Sequence, residues 1–281
     1  MIAQNDTMTP TSVRIEPKKG WAHLNVGEVW SYRELLYFFI WRDLKVRYKQ
    51  TLLGIVWAVL QPLFSAVIFT IFFGRLARVS SDGVPYVVFS YVALVPWIFF
   101  ANGLTLSANC LVTSANMLKK VYFPRLTLPI ATVVSGLVDL AVAMVLMFVL
   151  MLFHHRHPSA RIIWLPGFLL LALVASVGCG LWLSALNVKY RDIRYVVPFL
   201  VQLWLFATPV VYSSSLLHEP WHSLFGLNPM VAVVEGFRWA ALGTNVSIGR
   251  MAAISGAVTI CLAVSGLIYF RRVERTFADI V

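Results

Sequence analysis

Charge is the scarcest commodity in this chain. Only 12% of its 281 residues are Asp, Glu, Lys or Arg, whereas 59% are hydrophobic, and the mean hydropathy is +0.78. A soluble domain carries about twice that share of charge, so an integral membrane protein is the class that fits. Cysteine is scarce too: Cys110, Cys179 and Cys261 are an odd set within or beside apolar blocks, which excludes a disulfide framework and suits small apolar fillers. No G-x-x-x-x-G-K-[ST] motif occurs, so the chain cannot hold a nucleoside triphosphate in the P-loop manner. Residues 1–27 are polar and lack an apolar signal core, so the first membrane helix is expected to act as its own insertion signal. The acidic residues are scattered singly with no D-x-D, which argues against a membrane enzyme needing converging carboxylates.

What is present is a series of six apolar stretches, near 51–73, 85–107, 126–152, 162–186, 196–212 and 251–270. All but the fifth approach or exceed the roughly 20 residues of a spanning helix. The fifth contains Pro198 and Pro209 and is expected to be kinked or broken. The net charge of +11 is distributed at the ends of these stretches, not as one basic face for nucleic acid. Lys119, Lys120, Arg125, Lys189, Arg191, Arg194, Arg271, Arg272 and Arg275 fall on the same side as the basic N-terminal segment. The opposite side holds fewer, namely Arg75, Arg78, Arg156, Arg161, Arg238 and Arg250. The positive-inside rule thus places both termini in the cytoplasm with an even number of spans.

Parity bears on residues 214–243. Their apolar run tempts a seventh span, but that would put Glu235 and Arg238 in the bilayer and the basic C-terminus outside. A re-entrant helical hairpin fits better, with Glu235 and Arg238 paired one turn apart. The expected fold is all-α: six transmembrane helices, an N-terminal amphipathic interface helix, and a re-entrant periplasmic hairpin before the last span. Residues 1–27 are read as a cytoplasmic tail and 28–281 as the membrane domain.

Residues 28–41 pattern as an amphipathic helix on the inner membrane surface. Ser31 and Glu34 form a capping-box pattern, Trp30 and Leu35 a staple, and Leu35, Phe38 and Phe39 an apolar face. The basic run after it, with Arg42, Asp43, Lys45 and Arg47, serves equally well as a lipid anchor or as a docking surface for a partner. The turn 114–125 carries Met117, Lys119, Lys120, Tyr122, Phe123 and Pro124, and its aromatics would make knobs for a partner's groove. In a third turn, Asp192 is expected to pair with Lys189, Arg191 or Arg194.

HEPWH (218–222) matches a zinc-peptidase pattern, but Pro220 belongs in a first helical turn and leaves His218 off the required face. His154, His155 and His157 read as a solvated turn, and no metal site is assigned. Asp139 is the one carboxylate deep in a span and has no basic partner within the spans; subunit packing or pathway hydration suits it better than proton coupling. The aromatics Trp57, Tyr91, Trp97, Phe100, Trp204 and Phe206 fit interfacial belts, and equally a sugar path, since rings offer flat faces for pyranose stacking.

Three segments carry a family resemblance: WRDLKVRYKQTLLGIVWAVLQPL (41–63), SANMLKKVYFPRLTLPI (114–130) and LNPMVAVVEGFRWAALG (227–243). They resemble the membrane subunits of ABC-2 type polysaccharide exporters, most of all the permeases for lipid-linked O-antigen, with teichoic acid and capsule exporters as relatives. The resemblance implies a bacterial inner-membrane homodimer with two copies of a P-loop ATPase, which alone would bind ATP and Mg. It implies export of an undecaprenyl-diphosphate-linked glycan, coupling through Arg42–Arg47 and Met117–Pro124, and a periplasmic gate that includes Asn228, Pro229, Glu235 and Arg238. An ABC-2 exporter of small lipids or drugs shares this architecture. A glycolipid-assembling enzyme or a passive scaffold accounts for less of the sequence.

Overall fold

Turns and helix ends follow from proline, glycine and charge, and the bundle follows from which faces are small. The structure is a computed structural model that describes residues 30–49, 54–121, 123–216, 221–244, 246 and 248–274. Among these there is no strand. We label the α-helices α1 (Arg33–Lys49), α2 (Gly54–Phe69), α3 (Tyr86–Thr113), α4 (Ala115–Lys120) and α5 (Thr127–Phe153). They continue with α6 (Leu165–Lys189), α7 (Ile193–Ala207), α8 (Trp221–Phe225), α9 (Pro229–Leu242) and α10 (Gly249–Glu274). A π-helical turn, Thr70–Leu76, prolongs α2, and a 3-10 turn, Ala160–Trp164, leads into α6.

Among the described residues, five helical segments are long and apolar enough to cross a membrane: Gly54–Leu76, Tyr86–Thr113, Thr127–Phe153, Ala160–Lys189 and Gly249–Glu274. The expected stretch at 196–212 is instead the 15-residue α7. At 1.5 Å per residue it reaches about 22 Å, short of a hydrocarbon layer. Its end has a local cause. Thr208 precedes Pro209, whose ring excludes the helical region for its neighbour, and Thr208 is extended at φ −109°, ψ 141°.

α3 is the hub: 78% of its apolar window is buried, against 11% for α2 with its π-helical turn. Close approach of α3 and α6 rests on small residues, with Gly103 against Ser176 and Gly180 against Ser107. The Asn187 amide crosses the same seam to the Ala108 carbonyl (2.8 Å) and to Asn109 Oδ1 (3.2 Å). α6 and α10 touch backbone to backbone. A methyl on Gly178 would lie 2.7 Å from Ala263 Cα, and one on Gly266 would lie 2.5 Å from the Gly178 carbonyl oxygen. Cys110 and Cys179 are buried and Cys261 is exposed, all as free thiols.

The N-terminal helix departs from expectation. Its inward stripe is Leu36, Phe39, Asp43 and Arg47, with Phe39 fully enclosed in a cluster that includes Leu111, Phe123, Leu126 and Phe270. Phe38 is exposed, and so are Trp30, Tyr37 and Trp41. The helix therefore packs on protein through one face while a different aromatic face stays outward. Residues 30 and 31 are already helical and Trp30 is 72% exposed, so no staple closes that end.

Candidate functional site

Three helices each present one stripe to a shared groove of about 400 Å³. α2 contributes Gly54, Trp57, Ala58 and Gln61; α3 contributes Val95, Phe99, Asn102 and Leu106; α5 contributes Thr132, Gly136, Asp139 and Ala143. Apart from the adjacent Trp57 and Ala58, every step is three or four residues, which keeps each set on one helical face. Glycine and alanine at several of these positions leave the volume open. The side-chain amides of Gln61 and Asn102 are exposed and make no hydrogen bond among the described residues. Both stand within spanning segments, where polar groups face protein or a water-filled cavity.

α1 supplies the groove's charged wall. Arg47 forms an ion pair with Asp139, and the Tyr48 hydroxyl donates to the other oxygen of the same carboxylate. Lower down, Thr132 Oγ1 donates to Asp43 Oδ2 at 3.3 Å. The pairings advance in the same direction on both helices, so α1 climbs parallel to α5. Asp139 lies roughly 18 Å along α5 from Thr127, at 1.5 Å per residue. Among the described residues Asp139 has no basic partner within the spans, as expected, but it has one from outside them, 92 residues away. Burial first, and then Asp139, push the Tyr48 hydroxyl up to about 12, so it remains a neutral donor throughout the physiological range.

At the base of the bundle, α1 is tied to the turn around α4. Phe39 and Phe123 rings pack at 5.3 Å, and Arg42 reaches the Met117 sulfur at 3.9 Å while pairing with Asp43 at 2.8 Å. Arg125 fixes the same turn to the end of α10, its backbone N–H donating to Glu274 Oε1 and its guanidinium to the Glu274 carbonyl. Lys45, Lys119 and Lys120 are exposed. Phe123 and Pro124 are buried, so they staple the turn from inside and are not displayed as knobs; Tyr122 lies outside the described residues. At the neighbouring turn no ion pair forms on Asp192 among the described residues. Lys189 and Arg194 instead lie over the rings of Tyr190 and Tyr195.

The aromatic set divides. Trp57 faces the groove and Phe206 is exposed. Tyr91, Trp97 and Phe100 are enclosed in the core, the Tyr91 hydroxyl donating to the Ala143 carbonyl at 3.3 Å. Trp204 packs edge-on against Phe100 at 5.1 Å and donates its indole N–H to Asn228 Oδ1 at 3.0 Å. Residue type alone could not distinguish these roles. The groove-facing Gln61 and Asn102 were missed, and their signal was a lone amide inside each apolar stretch.

At the opposite end, Asn228 caps α9 by accepting from the Met230 N–H, and Pro229 occupies the first turn. The Asn228 amide nitrogen also donates to Thr208 Oγ1 at 2.9 Å and to the Ala207 carbonyl at 3.2 Å, which ties α9 to the end of α7. Arg238 and Glu235 pair at 3.3 Å, one turn apart as expected, and both are fully buried. Arg238 also donates to the carbonyls of Pro209, Val210, Tyr212 and Phe89, with its guanidinium 3.6 Å from the centre of the Phe89 ring. Glu235 Oε1 accepts from the Ser214 N–H at 3.0 Å. The pair thus fastens the non-helical chain after α7 to α3 and α9. Among the described residues no group of three or more His, Cys, Asp or Glu converges, and His218, Glu219 and Pro220 lie outside them.

The family profile described as ABC-2 type transporter matches residues 34–242. The O-antigen export system permease protein RfbA of Myxococcus xanthus is 33% identical over 215 residues, covering 76% of this chain and 82% of that protein. A protein of the same name from Klebsiella pneumoniae is 28% identical over 250 residues, 88% of this chain and 95% of its own length. The polysialic acid transport protein KpsM of Escherichia coli is 22% identical over 238 residues, or 83% and 91% respectively. The matched region holds α1, the groove, the α4 turn and the buried Glu235–Arg238 pair, and on this ground the chain belongs to the ABC-2 type transporter membrane family.

Proposed function

We propose that this chain is the membrane subunit of an ATP-driven exporter that moves a lipid-linked, O-antigen-type polysaccharide from the cytoplasmic to the periplasmic face of a bacterial inner membrane. The observation that carries the reading is the groove between α2, α3 and α5. Its Gln61 and Asn102 amides, unpartnered among the described residues, and the exposed Trp57 ring lie inside membrane-spanning segments, and they offer hydrogen bonds and a stacking face to a hydrated glycan. The names of the relatives, which concern O-antigen and polysialic acid, point to the same cargo class.

Two copies of the chain, together with two P-loop ATPase subunits, form the working assembly. ATP and Mg bind on those partners, and the permease subunit itself is no enzyme. The carrier lipid is undecaprenyl diphosphate. α7 with the residues that follow it forms the fifth of six crossings, α8 and α9 form the re-entrant hairpin, and both termini lie in the cytoplasm. ATPase closure pushes on Lys45, Lys119 and Lys120, and α1 passes the movement to α5 through Asp139. Weak contacts at many points let a polymer slide without arrest.

The test is export in cells. Deletion of the gene should leave lipid-linked glycan trapped in the cytoplasmic leaflet and remove surface polysaccharide. The double substitution Gln61→Leu/Asn102→Leu should do the same while the protein still purifies with a stoichiometric ATPase. Undiminished surface polysaccharide after deletion would sink the reading.

A further inference from the structure

A second cavity, again of about 400 Å³, lies at the end of the bundle opposite α4, and it shares no lining residue with the groove. We propose that it is a subsite for one pyranose unit of the exported glycan, engaged as the chain leaves the membrane domain. The inference rests on the polysaccharide reading given above. Its walls come from four connecting segments that meet there, with Asp82, Arg156, Ser215 and Thr244 as the polar lining and Val84 and Leu242 among the apolar lining.

Asp82 and Arg156 are each held for recognition by contacts that do not exhaust them. Asp82 sits at φ 51°, and its two carboxylate oxygens accept from the hydroxyls of Ser213 (2.6 Å) and Ser215 (3.0 Å). The carboxylate is therefore oriented and still has lone pairs to offer. Arg156 donates one N–H to the Gly83 carbonyl at 2.7 Å, which fixes the guanidinium beside the same turn with further N–H groups in reserve. Thr244 is only 6% exposed, and among the described residues its Oγ1 has no hydrogen-bond partner. A buried hydroxyl left unsatisfied is costly, and a ligand hydroxyl supplied from the cavity would satisfy it.

The combination selects the ligand class. An anion alone would be repelled by Asp82, and a cation alone by Arg156. A neutral polyol suits both, because its hydroxyls donate to the carboxylate and accept from the guanidinium, while Thr244 can do either. Val84 and Leu242 give an apolar surface for the C–H face of a sugar ring. The cavity has room for one or two such rings.

The probe is polysaccharide released by mild acid from the envelope of the producing cells, added to the purified protein in lipid nanodiscs and followed by saturation-transfer NMR. Transfer to the glycan is expected with the wild-type protein. Asp82→Ala should weaken binding about tenfold, the loss of one charge-assisted hydrogen bond. Thr244→Val should weaken it severalfold, and both variants should elute as wild type in size exclusion. Unchanged affinity in Asp82→Ala, or no transfer to the wild-type protein, overturns the subsite. If either occurs while gene deletion still removes surface polysaccharide, the export reading stands and this inference alone falls. If deletion leaves surface polysaccharide intact, both fall.

Discussion

Arg47 and Asp139, 92 residues apart in the chain, form an ion pair against the middle of α5, and Tyr48 donates to the same carboxylate. This contact joins the helix that precedes the spans to the wall of the groove. Charge inside a spanning segment is tolerated where it is paired, and here each partner is the other's neutraliser. Because the two side chains are each 27% exposed, the pair is neither fully buried nor freely solvated.

Arg47→Met should therefore lower the melting temperature of the purified protein by stranding the Asp139 carboxylate. A loss on the order of 1.5–3 kcal/mol is expected for hydrogen bonds to a charged group. Arg47→Met/Asp139→Leu should recover most of that loss, because no charge is then left unpaired. Thermal melts of the two single variants and the double variant form the cycle. Simple additivity would show that the two groups do not act on each other.

The buried Arg238 makes a sharper case. It joins Glu235 to four backbone carbonyls, those of Phe89, Pro209, Val210 and Tyr212, in a space with no solvent exposure. A lysine keeps the charge but has neither the planar fork nor the stacking on Phe89. Arg238→Lys is expected to destabilise markedly, and Arg238→Met more so, by about 3–5 kcal/mol for one partner removed from a buried pair. Fluorescence-detected size exclusion after heating measures both. Wild-type behaviour of Arg238→Lys would mean that charge alone, and not the fork, holds this segment.

These two pairs show how far the sequence could be read. Glu235–Arg238 was legible because both partners lie one turn apart on a single helix, so spacing alone brings them together. Arg47–Asp139 was not, because periodicity carries no information on which helix climbs beside which. The five long spans announced themselves by length. In the remaining stretch the break expected from its prolines is there, with α7 ending at Ala207, but apolarity continues through Pro209 and carries the expected stretch on to 212. Tyr91, Trp97 and Phe100 looked the same as Trp57 in composition, and only packing around α3 sorted core from groove. Gln61 and Asn102 were overlooked because uncharged amides barely disturb a hydropathy profile.

The α6–α10 crossing depends on the absence of side chains. A methyl on Gly178 would meet the Ala263 backbone at 2.7 Å, and backbone cannot swing aside as a side-chain tip can. Gly178→Ala should part the two helices and lower the melting temperature, with Gly178→Leu failing to yield monodisperse protein. Gly167→Ala is the control, since its added carbon would meet nothing within 4 Å. Equal melting of Gly178→Ala and Gly167→Ala would remove this contact from the account of the fold.

Around α4, exposure divides residues into those that hold the turn and those free to meet a partner. Phe123 is packed on Phe39, so Phe123→Ala should lower stability by about 3–5 kcal/mol, as for a buried aromatic truncated in a core. Lys119 and Lys120 are exposed, so Lys119→Ala/Lys120→Ala should leave the melting temperature unchanged. In the reconstituted complex with its ATPase, the same double substitution should abolish the stimulation of ATP hydrolysis by the membrane subunit. The two readouts separate a structural turn from a docking surface. Full stimulation in the lysine double variant, with an intact melting curve, would move the contact with the ATPase away from α4 and onto the exposed face of α1 around Lys45.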